Sequence, residues 1–304
     1  KPDVITLDIQ MPRMDGLTFL KKIMSQHPIP VVVISSLTTK DSKIALTAYE
    51  TGAIEVIEKP VMNSELLHEQ WKHRLFDAIM AASKSMVTKK VLNLIDTKPK
   101  VSFVSNNSIN KNTVCNSLIL IGSSAGGTEV INSIVSNLKI DTAPILIVQH
   151  MPELFTGPYA SRLNTNSKIE VREAIAGDEL HRGLALLCPG NKHMEIKNNG
   201  FNFFVDLNSR EKVNRHRPSV DVLFNSALKF SGTNILSIIL SGMGSDGSAA
   251  MLKLKDAGAL TVAQSKDSSI VYGMPKEAVR IGAASFSMTI EQIIDCINEF
   301  SKKQ

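Results

Sequence analysis

Short apolar runs and longer helical segments alternate in two stretches of the chain, with an aperiodic stretch between them. Residues 4–7 form an apolar run that closes on Asp8, and residues 17–24 carry apolar side chains at helical spacing. Residues 30–34 are apolar and β-branched, which suits a strand buried on both faces. Residues 42–50 predict a helix stopped by Gly52, and Val56 and Ile57 a short strand before Glu58-Lys59-Pro60. Ser64 is placed to cap a helix reaching about residue 83. From residue 85 to 116 the pattern lapses, apart from a helical turn or two over 87–95. Residues 105–112 are polar without period, the texture of a linker.

The alternation resumes with a strand at 118–121, a glycine-rich turn at 122–127 and a helix over 128–138. Strands at 145–148 and 235–240 come next, then a helix to about 257 and a strand at 260–263. Short segments between 171 and 206 predict an antiparallel excursion. Repeated strand–helix units make this an α/β protein, with doubly wound, mostly parallel sheets covered by helices on both faces.

A length of 304 residues suits two domains, and 43% hydrophobic with 21% charged residues supplies a core for each. No apolar run approaches the roughly 20 residues that span a bilayer, so no membrane insertion is expected. Formal net charge is +5 without a long basic run, and aromatics are 5%, a balance that argues against nucleic acid. Cys115, Cys188 and Cys296 fit neither a disulfide framework nor a zinc spacing, and read as free thiols in a reducing cytoplasm.

In parallel sheets, function gathers beyond the carboxyl ends of the strands. Ser124, His150 and Asp246 each come after an apolar run, so all three can face one crevice. Ser124 lies in Gly122-x-Ser124-x-Gly126, the pattern of a sharp strand-to-helix turn that exposes a nucleophile. His150 can take its proton, Asp246 can fix the imidazole tautomer, and amides around Met243 and Gly244 can hold an oxyanion. Taken singly, each has a plainer reading: a helix cap, a satisfied polar histidine, a second cap. Their coincidence at three strand ends argues for a triad beside those plainer readings. Gly242-x-Gly244-x-x-Gly247 also fits a dinucleotide fingerprint, with Asp267 about 20 residues on, but Asp246 would repel a pyrophosphate there. In the first stretch Asp8, Ser35 and Lys59 close three strands and could grip a phosphoryl group between them.

Asp3-Val4-Ile5-Thr6-Leu7-Asp8, Met11-Pro12-Arg13-Met14-Asp15-Gly16 and Glu58-Lys59-Pro60 closely resemble response-regulator receiver domains. Residues 118–304 resemble the catalytic domain of chemotaxis protein-glutamate methylesterases of the CheB type. The matching stretches run Ile121 to Gly127, Gln149-His150-Met151-Pro152, Cys188 to Met194, Arg217 to Asp221, Gly242 to Gly247 and Tyr272-Gly273-Met274-Pro275. The resemblance implies a flavodoxin-like receiver over 1–84, incomplete at its start, a linker over 85–116, and a Rossmann-like catalytic domain over 117–304. It implies Ser124 as nucleophile, His150 as base, Asp246 as its orienter and Met243 at the oxyanion hole. The implied reaction turns receptor glutamate methyl esters into glutamate and methanol, and deamidates receptor glutamines, with no cofactor.

It further implies that Asp8 takes phosphate from a chemotaxis histidine kinase, that Ser35 and Lys59 act as switch residues, and that the unphosphorylated receiver covers the active site. Mg²⁺ would assist at Asp8, although the paired acids that share it in the family are not in this sequence. Methyl-accepting chemotaxis receptors are the implied substrate and the cytoplasm the implied location. Ala125 stands where the family usually has threonine. A catalytically silent, phosphorylation-dependent scaffold and a dinucleotide enzyme are the alternatives. Arg215, His216 and Arg217 form a basic cluster expected to meet acidic receptor helices.

Overall fold

The computed structural model describes residues 2–36, 39–60, 65–86, 116–200, 202–230 and 233–302. The N-terminal unit runs β1 (Ile5–Asp8), α1 (Gly16–Gln26), β2 (Val31–Ser35), α2 (Thr39–Glu50), β3 (Glu55–Glu58) and α3 (Glu65–Ser83). Its strands pair in parallel in the order β1-β2-β3. Val31, Val32 and Val33 are fully buried, as expected of a central parallel strand. Gly16 is required where α1 begins, because a Cβ there would lie 2.3 Å from the Asp8 carbonyl oxygen.

The second unit runs β4 (Ser117–Ser123), α4 (Thr128–Ser136), β5 (Ile145–Gln149), α5 (Glu153–Thr165), β6 (Glu170–Glu173), β7 (Leu184–Leu187), β8 (His193–Asn198), β9 (Phe203–Asn208), α6 (Val220–Ala227), β10 (Asn234–Ile239), α7 (Ser248–Asp256), β11 (Leu260–Gln264), α8 (Met274–Arg280), β12 (Phe286–Met288) and α9 (Ile290–Phe300). Seven strands form a parallel sheet in the order β12-β11-β10-β4-β5-β7-β6. The chain winds outward from β4 through β5 on one side and from β10 through β11 on the other. The crevice at the ends of β10, β4 and β5 is therefore the topological switch point, where such sheets place their ligands.

The doubly wound, mostly parallel architecture is the one the alternation predicts, with one local difference. Of the segments between 171 and 206, β6 and β7 join the main sheet in parallel, and only β8 and β9 pair antiparallel. Buried Val171, Leu184 and Leu186 give β6 and β7 a place in the core that short alternation does not reveal. The N-terminal unit packs on the second through α2 against α5 and α4. The expected linker lies, except for Ser85, Met86 and Asn116, outside the described residues, as do Cys115 and the expected cap Ser64.

Candidate active site

Ser124 directly follows β4, every residue of which is buried, and α4 starts four residues later. The turn is glycine-dependent: Gly126 has φ +72°, and a Cβ on Gly127 would sit 1.7 Å from Ser123 Oγ. On the β10 side, a Cβ on Gly242 would lie 2.8 Å from Ser124 Cβ. Ser124 donates its amide to Ser241 O at 3.0 Å, and His150 donates its amide to Ser123 O at 3.0 Å. Three adjacent strand ends are thus laced together around the serine hydroxyl.

Beyond β5, His150 Nε2 lies 2.9 Å from Asp246 Oδ2, with the two side chains only 8% and 2% exposed. The other imidazole nitrogen, Nδ1, is buried without a partner among the described residues. Asp246 does not cap its own following helix. Its carboxylate caps α6 instead, accepting from Val220 N at 2.7 Å and Asp221 N at 3.3 Å, and also from Ser219 Oγ at 2.8 Å and Asn214 Nδ2 at 2.7 Å. Burial alone would raise this carboxyl. The His150 hydrogen bond and charge, with the Asn214 and Val220 donors, outweigh it and hold Asp246 well below the usual carboxylate range. An ionised acid fixed this firmly favours the tautomer with the proton on Nε2, which leaves Nδ1 without one.

The amides of Met243 and Ala125 have no acceptor among the described residues, so both are open to an oxyanion. Sequence reasoning pointed to Met243 but missed Ala125, although the residue after an elbow nucleophile commonly supplies such a donor. Asn214 and Ser219 were also missed. Ser219 lies within the Arg217–Asp221 motif and Asn214 just before it, but the motif says nothing of Asp246, 27 and 32 residues on.

The dinucleotide fingerprint does stand between β10 and α7, but Asp246 inside it is turned to α6, and Asp267 lies in a short 3-10 turn after β11. Arg217, from the expected basic cluster, donates to Asn191 Oδ1 and to the carbonyls of Ser209 and Arg210. Its guanidinium fastens the loop.

In the N-terminal unit, Asp8 Oδ2 accepts from Lys59 Nζ at 2.6 Å and Oδ1 from the Gln10 amide at 3.0 Å. Burial pushes Asp8 up; these partners prevail and hold it below the ordinary value. Ser35 is buried, its hydroxyl donating to Ser36 O at 3.2 Å. One carboxylate already paired to lysine does not make a Mg²⁺ site, and no metal-holding cluster of three acidic, His or Cys side chains occurs among the described residues. The residues present do not fit that ion. The same unit reaches the second: Ile54 O accepts from the Gly126 amide at 3.1 Å and Glu50 Oε1 lies 2.8 Å from Arg162 Nε, while Met86, just after α3, donates to Ile270 O at 2.8 Å.

Residues 119–297 match the family described as CheB methylesterase, and residues 1–70 match the response regulator receiver domain. The chain belongs to the CheB methylesterase family. A protein named protein-glutamate methylesterase/protein-glutamine glutaminase 2 from Oleidesulfovibrio alaskensis is 44% identical over 92% of this chain and 80% of its own length. A similarly named protein from Geobacter metallireducens is 43% identical over 96% of this chain and 84% of its own. The crystal structure of the Thermotoga maritima CheB methylesterase catalytic domain aligns with a TM-score of 0.58 at 34% identity, covering 60% of this chain and 97% of that one. The chain is therefore a CheB-type member of an enzyme family, with a receiver domain ahead of its parallel-sheet methylesterase domain. No helix among the described residues is long and apolar enough to cross a membrane.

Proposed function

We propose that this chain hydrolyses glutamate methyl esters on chemotaxis receptors to glutamate and methanol, and deamidates receptor glutamines, in the cytoplasm. The observation that carries the reading is the buried Asp246–His150 pair, whose second imidazole nitrogen is unpartnered among the described residues, on a backbone hydrogen-bonded to Ser123 next to the elbow serine. Ser124 Oγ attacks the ester carbonyl as His150 Nδ1 takes its proton. Asp246 stabilises the imidazolium, and the Met243 and Ala125 amides receive the oxyanion. Collapse breaks the acyl–oxygen bond, and His150 returns the proton to leaving methanol. Water, deprotonated by His150, then splits the acyl-serine to give glutamate. For glutamine the leaving group is ammonia.

The receiver gates this chemistry. We take the receiver to end at about 84 and the catalytic domain to begin at about 117, as two distinct units. While Asp8 is unphosphorylated, Ile54 holds an amide of the nucleophile turn, and Glu50 grips Arg162. Phosphate from a histidine kinase on Asp8 would displace Lys59 and, through Ser35, loosen that grip.

The test is methanol release from methylated receptor membranes by the wild type and the Ser124→Ala variant. Release lost in a folded variant supports the reading. Equal release from both overturns it.

A further inference from the structure

His216 belongs to a loop that the proposed reaction has not used. Its ring lies face to face with that of His150, centroids 3.8 Å apart and planes within 10°. The turn that presents it is closed by reciprocal Val213 and His216 backbone hydrogen bonds of 3.1 and 2.8 Å. Arg217 ties the same loop down through four hydrogen bonds. Asn214, two residues earlier, donates to Asp246. One short turn thus supplies a donor to the acid and a ring to the base.

We infer that His216 is a positioning residue, whose ring fixes the plane of the His150 imidazole and offers a neutral π-face to the imidazolium formed during turnover. The inference rests on the triad reading. Rotation about the terminal torsion of a histidine is soft. A hydrogen bond from Nε2 to Asp246 fixes one atom of the ring and leaves its plane free to tilt. A parallel ring at van der Waals distance removes that freedom and keeps Nδ1 aimed at one spot. The face of an aromatic ring also attracts a cation, provided the ring itself carries no charge. His216 meets that condition: burial first, then the charges of His150, Arg74 and Lys212, push it down to about 3 against the pull of Asp246. The charged groups facing the pair are Asp246 beside it, Lys212 from the same loop, and Arg74 and Glu55 from the receiver.

Methanol release by the full chain tests this across pH for the wild type, His216→Ala, His216→Phe and His216→Lys, each confirmed folded by its thermal transition. His216→Ala should lower kcat/KM about tenfold. His216→Phe restores a ring and should recover to within about threefold. His216→Lys sets a cation against His150 and should move the acidic limb of the profile to lower pH. Should His216→Ala fail to fold, the Phe and Lys variants carry the test. Phe and Ala equally impaired, or an acidic limb unmoved by Lys, would overturn the inference while Ser124-dependent release still stands. Loss of Ser124 dependence would overturn the triad reading itself.

Discussion

Replacing Asp246 by asparagine probes the site most sharply, because the carboxylate serves two purposes at once. It accepts five hydrogen bonds, from His150, Asn214, Ser219, Val220 and Asp221. An amide can accept at only one end. With its oxygen in place of Oδ1, the new NH₂ confronts the Val220 N–H and donates to His150 Nε2. That moves the imidazole proton to Nδ1, the nitrogen that must receive the serine proton. With its oxygen in place of Oδ2 the tautomer survives, but the NH₂ confronts the Asp221 amide and the Asn214 donor. Either way a buried backbone donor at the start of α6 loses a charge-assisted bond, costing about 1.5–3 kcal/mol of stability. Methanol release should fall about 10⁴-fold, the scale seen when a triad aspartate is neutralised.

The pH dependence has a definite sign. Because folding lowers the Asp246 pKa, the stability gap between wild type and variant should be full above the unfolded carboxylate value of about 3.9 and shrink as pH falls below it. Denaturant unfolding measured at several pH values, beside the methanol assay, reads both effects. A folded Asp246→Asn protein releasing methanol within tenfold of wild type would refute the role given to the acid.

Two further predictions concern the walls of the site. Gly242→Ala puts a methyl 2.4 Å from Met274 Sδ and 2.8 Å from Ser124 Cβ. It should cost about 1–3 kcal/mol by overpacking and depress methanol release, read by thermal unfolding and the same assay. Glu50→Gln removes a half-exposed partner of Arg162, a pair worth about 0.2–1 kcal/mol, so basal release should rise by up to about fivefold. A fall in basal release would contradict the proposed gating.

The strand ends were legible because parallel strands announce themselves as unbroken apolar runs, and the residues just beyond such runs stand at one edge of the sheet. That logic singles out Ser124, His150, Asp246 and Asp8 as candidates without any contact being known. It failed where the partner is distant in sequence. Asp246 reads as a cap for the helix beside it, and only packing shows that it caps α6 instead. His216 reads as one member of a basic cluster, since nothing in residues 215–217 distinguishes a ring stacked on His150 from a solvated side chain. The segments of β6 and β7 read as part of an antiparallel excursion, because short strands carry too few residues to display the pattern of a doubly buried sheet.

Arg162 is only 15% exposed, yet it touches two acids. Besides Glu50 of the receiver it holds Glu129 of the catalytic domain, at 2.9 and 3.1 Å. Undocking a salt bridge at a buried interface ordinarily maroons a charge, at a cost of about 3–5 kcal/mol. Here the departing receiver takes the more hydrated acid with it, and the arginine keeps a counter-ion at home. Unlatching such a joint would therefore cost no more than the small worth of a half-exposed pair, about 0.2–1 kcal/mol. Under the proposed gating, that would keep the docked and undocked arrangements close enough in energy for one phosphoryl group, with its few charge-assisted bonds, to tip the balance.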